Sequence, residues 1–152
     1  MKVMKFGGTS VGNPESLRQV RNIIINEKEP VIVVVSALDG VTDRLLLAAD
    51  FALKSNPGYK TLLDEITERH RVVIEKLDFT DEVKQLLVKK TEQLFDELQN
   101  ILRGVFLIGD LSQKTSDKIV SYGERLSSLI VNSMITGSQL YDSTKFIKTN
   151  KQ

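Results

Sequence analysis

The stretch "MKVMKFGGTSVGNPESL", residues 1–17, decides the fold class of this chain. Residues 2–6, KVMKF, read as a short first strand that breaks at once into a GGTSVG loop. Asn13-Pro14 then opens a helix, because an asparagine side chain accepts well at an N-cap and proline's fixed φ suits the first helical position. Leu17, Val20 and Ile24 recur at helical spacing with Ile23 alongside, and the helix ends by Glu29, ahead of Pro30. Next comes VIVVVS, residues 31–36, a β-branched run with no polar alternation. That pattern predicts a strand buried on both faces, as parallel sheets require. Strand, helix and strand in this order make a βαβ unit with a right-handed crossover.

Further along, the loop SALDGVT leads into a helix expected over residues 42–55, stopped by SNPG at 55–58. From Tyr59 to Gly109 no strand pattern occurs. Leu62, Leu63, Ile66, Val73 and Leu77 mark one amphipathic helix, with Glu65 and Arg69 as an i,i+4 pair. Phe79-Thr80-Asp81 reads as turn and cap. Val83, Leu86, Leu87, Leu94, Leu98, Ile101, Leu102 and Val105 mark a longer helix ended by Gly109-Asp110. SQKTSD reads as polar loop and cap before a helix over 117–136, stopped by Gly137. LYDS and FIKT, at 140–143 and 146–149, are the last two strand candidates. The expected architecture is α/β, with α/β parts at 1–55 and 111–152 and a helical hairpin inserted at 59–109. Two strong strands and two weak ones make a thin sheet, the sheet of an incomplete domain. Its open edge invites pairing between copies, so a homo-oligomer is expected.

Composition narrows the function classes. At 152 residues the chain is one domain at most, and 21 basic against 20 acidic residues leave a formal net charge of +1. No basic run interleaves with aromatics, so nucleic acid is not an expected partner. Cysteine is absent and His70 is the single histidine, which removes disulfides, thiolate chemistry and His/Cys metal sites. The first residues run straight into the glycine loop without the apolar segment of a signal peptide. No apolar run approaches the ~20 residues of a membrane span. The expected setting is the cytoplasm, with no membrane partner.

In open α/β sheets ligands bind beyond the carboxyl ends of the strands, and two loops lie there. In the first, Gly7 and Gly8 let backbone N–H groups converge on an anion, Lys5 adds a full charge, and Thr9 and Ser10 add hydroxyls. This equipment suits nucleotide phosphates, although the loop is neither G-x-x-x-x-G-K-[ST] nor G-x-G-x-x-G. A tight βα turn with a solvated lysine fits the same residues. In the second loop, Ser36 and Thr42 read as helix caps or as polar lining. Glu124 is more informative. Counting 100° per residue from Ile119, it falls at about 140°, between Val131 at about 120° and Ile135 at about 160°. A carboxylate in an apolar arc must find a cation, turn to the arc's margin or face a ligand. His70 lines up with Ile66, Val73 and Leu77 and reads as a partly buried packing residue. Lys89-Lys90 is a solvated face.

Three blocks taken together, KFGGTSV, VVVSALDGVTDRL and DKIVSYGERLSS, resemble aspartate kinases of the amino-acid kinase family, in the family's order and spacing. LRGVFLIGDLS ahead of the third block is similar to aspartate kinases too, including the bifunctional aspartokinase–homoserine dehydrogenases. The resemblance implies a three-layer αβα sandwich with a mainly parallel sheet, of which this chain would be the N-terminal half. It implies transfer of the ATP γ-phosphoryl group to the β-carboxylate of L-aspartate, with Mg2+, as the first step towards lysine, threonine and methionine. It assigns Lys5 and the Gly7 and Gly8 amides to the transferred phosphoryl group, with Thr9 and Ser10 in the same loop. It assigns Ser36 and Thr42 to the aspartate pocket and Glu124 to the substrate's α-ammonium. The family's kinase domain continues well beyond the length seen here. Its FTRGGSD-like block, most of the adenine and ribose pocket, another lysine for the phosphates and the magnesium-binding aspartate have no counterpart in these residues. Residues 1–152 are therefore expected to be an incomplete catalytic domain, inactive alone and with no metal ligand of its own. A non-catalytic folded module and a different carboxylate or carbamate kinase of the same fold are the alternatives. Glu124 in SYGERLS suits an amino-acid ammonium and argues against the latter.

Overall fold

The computed structural model describes residues 1–145. Two strands, β1 (Lys2–Phe6) and β2 (Val31–Val35), pair in parallel, with Lys2 opposite Val31 and Phe6 opposite Val35. The crossover between them is α1 (Pro14–Ile25), whose N-cap Asn13 accepts a hydrogen bond from the Ser16 amide at 2.8 Å. Four more helices follow: α2 (Val41–Leu53), α3 (Tyr59–Glu75), α4 (Asp81–Ile108) and α5 (Gln113–Ser133). Thr80 caps α4, and Gly109 ends it in the left-handed conformation with φ 68°.

Helix α2 is the hub and packs against α3, α4 and α5. Its Ala48, Ala49 and Ala52 are buried, and such small side chains let neighbouring helices approach closely. On α4, Leu87, Thr91, Phe95, Leu98, Leu102 and Val105 are buried at spacings of three and four residues, a single seam along one side. The helical hairpin and the α/β part share one continuous core.

Three expectations need correction. The β2 strand is not buried on both faces: Met4, Phe6, Val31, Val33 and Val35 pack against the core, whereas Val3, Ile32 and Val34 are 68%, 48% and 44% exposed. All the helices that touch the sheet lie on one side among the described residues, so the β-branched run keeps an apolar face open. Secondly, α5 begins at Gln113, a turn before Asp117. Ser112 accepts from the Thr115 amide at 3.1 Å and caps the helix, so most of SQKTSD is its first, solvated turn. Thirdly, LYDS forms no strand: residues 140–142 are irregular and Ser143–Lys145 is a short 3-10 turn. FIKT lies outside the described residues.

Candidate active site

The site grows out of the last rung of the sheet. The Ser36 amide donates to the Phe6 carbonyl at 3.0 Å, so the two loops leave β1 and β2 side by side. After β1, Gly7 is extended and Gly8–Val11 forms a 3-10 turn anchored by the fully buried Val11. The amides of Gly7, Gly8 and Thr9 have no acceptor among the described residues. At Gly7 a Cβ would meet nothing within 4 Å, so the backbone there is open to a ligand. At Gly8 a Cβ would sit 3.2 Å from the Ala37 carbonyl oxygen, and at Gly12 it would sit 3.1 Å from the Asp39 Cβ. These two glycines let the first loop lie directly on the second.

The second loop is pinned by buried Ala37 and Leu38. Gly40, with φ 73°, turns the chain into α2 and provides no side-chain cap. Of the two readings left open for Ser36 and Thr42, capping of α2 is therefore excluded. Both are half-buried beside the loop, and neither hydroxyl has a hydrogen-bond partner among the described residues.

Helix α5 closes the group. A Cβ on Gly123 would lie 2.6 Å from the Ala37 Cβ and 3.4 Å from Leu45 Cδ1, so the helix backbone presses on the second loop here. One turn on, the buried Ser127 donates to the Ser36 carbonyl at 2.6 Å. Glu124 lies between these contacts, half-buried. No ion pair forms with it among the described residues. Its neighbour Arg125 is engaged elsewhere, with Nη1 3.6 Å from Glu97 and its guanidinium 4.6 Å above the Tyr122 ring. The Tyr122 hydroxyl also donates to Glu97 at 2.9 Å, and burial together with that carboxylate raises the phenol above its ordinary pKa.

The three sequence blocks thus meet at the carboxyl ends of the strands. Gly8 and Gly12 rest on the second loop, with the open Gly7 and the residues Thr9 and Ser10 in the same first loop, and Gly123 and Ser127 bring α5, and with it Glu124, up to the second loop beside Ser36. Lys5 stands apart. It lies opposite Val34 on the uncovered face of the sheet, exposed and without a carboxylate partner among the described residues. Helix α5 lies on the other face, so the lysine and the glutamate approach the strand ends from opposite sides.

Some neighbours were not legible beforehand. Glu65 pairs with Arg44 at 3.4 Å, not with Arg69. Arg69 instead reaches the Gly12 carbonyl at 3.4 Å and ties the helical hairpin to the first loop. No sequence signal distinguishes that contact from an ordinary i,i+4 pair. His70 is fully buried; its Nδ1 lies 2.7 Å from the Ile66 carbonyl, and its Nε2 has no partner among the described residues.

Comparison with known proteins gives the arrangement its context. The model of the amino acid kinase family matches residues 1–147. An aspartokinase of Candida albicans is 37% identical over 142 residues, covering 88% of this chain and 25% of that protein. Aspartokinase 1 of Arabidopsis thaliana, a chloroplastic protein, is 32% identical over 158 residues, covering 97% and 26%. Among solved structures, E. coli aspartokinase III in complex with lysine and aspartate superposes with a TM-score of 0.77 at 26% identity, over 88% of this chain and 28% of that one. The same enzyme in complex with aspartate and ADP gives 0.76. The chain spans about a quarter of the length of these two aspartokinases and 14–15% of the bifunctional aspartokinase/homoserine dehydrogenases it also matches.

Proposed function

This chain belongs to the amino acid kinase family, and from that premise we propose that it is the N-terminal portion of an aspartate kinase domain. The reaction is ATP-dependent phosphorylation of L-aspartate. An oxygen of the β-carboxylate attacks the γ-phosphorus, the bond to the β,γ-bridging oxygen breaks, and 4-phospho-L-aspartate and ADP leave. A carboxylate is already a nucleophile, so no general base is required. Positioning and neutralisation of two approaching anions carry the catalysis.

The residue roles follow from that need. The Gly7 and Gly8 amides, with Thr9 and Ser10, hold phosphate oxygens, and Lys5 neutralises charge on the transferred group as it develops. Ser36 and Thr42 line the aspartate pocket. Glu124 takes the α-ammonium, which supplies the cation its half-buried carboxylate lacks. The observation that carries the reading is the meeting of the three blocks at the strand ends, with a half-buried glutamate that has no ion pair among the described residues. The open backbone at Gly7 and its free amides suit a phosphate. Mg2+ would arrive on the ATP phosphates, and no residue of this chain is assigned to it. A homo-oligomer in the cytoplasm completes the proposal.

Lys5 gives the test. In a complete kinase domain, Lys5→Met should lower kcat by about a hundredfold or more, the usual effect of deleting a transition-state charge donor. Because Lys5 is exposed and has no carboxylate partner among the described residues, the melting temperature should stay within about 1 °C of wild type. Undiminished turnover would remove Lys5 from the mechanism.

A further inference from the structure

Ser127 has no substrate role in the mechanism above, yet it is fully buried at the centre of the site's framework. Its Oγ lies 2.6 Å from the Ser36 carbonyl and 3.1 Å from the Glu124 carbonyl. A hydroxyl has one proton to give, and the shorter contact takes it. Ser36 is thereby held through both of its backbone groups, since its N–H donates to the Phe6 carbonyl. Four residues earlier on the same helical face, Gly123 rests against Ala37 so closely that a methyl group would sit 2.6 Å from the Ala37 Cβ. Helix α5 is thus fixed to the second loop at two points, one on each side of Glu124 along the chain. One is a close backbone contact, and the other is a buried hydrogen bond.

We infer that Ser127 is a positioning residue for aspartate recognition: through the Ser36 carbonyl it sets the separation between the Glu124 carboxylate and the Ser36 hydroxyl. The inference rests on the proposed aspartate pocket, in which those two groups grip one small zwitterion at different points. The geometry tolerates little slack, because a displacement of about 1 Å in a positioned group is enough to cost orders of magnitude in rate. Ser127 itself touches no substrate. Without its hydroxyl, α5 keeps its packing on α2 and α4 and the Gly123 contact, but the Ser36 carbonyl is released and the second loop can shift relative to the Glu124 carboxylate. The phosphate loop, held to the second loop through Gly8 and Gly12, does not depend on that hydrogen bond.

The test is steady-state kinetics on the complete kinase domain, with aspartate and ATP varied separately in wild type, Ser127→Ala, Ser127→Cys and Glu124→Gln. Losing one buried hydrogen bond predicts a KM for aspartate raised about tenfold in Ser127→Ala. The KM for ATP should stay within about twofold, since the phosphate loop is unaffected. Ser127→Cys, nearly isosteric and a weaker donor, should fall between wild type and alanine. An unchanged KM for aspartate in Ser127→Ala overturns the inference. So does an equal loss for both substrates in the alanine and cysteine variants, which marks general loosening. Glu124→Gln separates the two levels. If it raises the KM for aspartate while Ser127→Ala does not, only the positioning role fails. If Glu124→Gln itself has no effect, the aspartate pocket fails and the inference goes with it.

Discussion

At the scale of single residues, His70 and Glu124 show how burial assigns meaning to a charge. Burial, reinforced by the nearby Arg69 charge, pushes the His70 imidazole down to about 4 against its ordinary 6.5, although the Ile66 carbonyl partly opposes this. The folded state therefore keeps His70 neutral where the unfolded chain takes up a proton. The stability this contributes is fully present above pH 6.5 and is lost as pH falls towards 4, to a total of about 3 kcal/mol. Denaturant titrations of wild type and His70→Leu should diverge in slope over that window and run parallel above it. Parallel curves throughout would mean that His70 takes up its proton at the same pH in the folded and the unfolded chain. The sequence placed His70 on the packed face of its helix, but its complete burial depends on Phe95 of α4, whose ring centroid lies 5.5 Å away edge-on. Glu124 was legible as a carboxylate in an apolar arc. Its lack of a cation was not, because that depends on Arg125 being committed to Glu97 on a different helix.

At the scale of elements, periodicity and caps carried most of the reading. Asn13-Pro14, Thr80 and Gly109 mark helix ends where local chemistry demands them. The start of α5 is not legible in the sequence, because a run of polar residues serves equally as a loop or as a solvated first turn, and only the Ser112 cap decides between them. The exposure of Leu86, at 55%, against the burial of Leu87, at 1%, likewise reflects which partner α4 meets. The contact between α5 and the second loop makes its own prediction. Gly123→Ala adds a methyl 2.6 Å from the Ala37 Cβ and should destabilise the fold by about 1–3 kcal/mol through overpacking. Ala37→Gly in the same chain removes the opposing methyl and should recover much of that loss in a thermal-melt double-mutant cycle. Additive losses would show that the two sites do not meet.

At the scale of the whole molecule, the described residues form a one-sided α/β unit, with helices on one face of a two-stranded parallel sheet. Local pattern identified both strands, but it could not say whether anything covers their second face, because identical β-branched runs occur in covered and open strands. The exposed Val3, Ile32 and Val34 form an apolar face of the kind that associates. Sedimentation velocity should show concentration-dependent association of the chain, weakened by Ile32→Lys; an ideal monomer at all concentrations would contradict this. In the proposed function these residues hold the phosphate and aspartate sites of an aspartate kinase. The most direct measurement traps aspartyl phosphate as its hydroxamate, with Mg-ATP and L-aspartate, comparing this chain with a protein carrying the complete kinase domain. Hydroxamate is expected from the complete domain, none from the 152-residue chain alone, and the signal should be lost in Lys5→Ala of the complete domain. Turnover by the short chain, or an undiminished signal in Lys5→Ala, would contradict the proposed function.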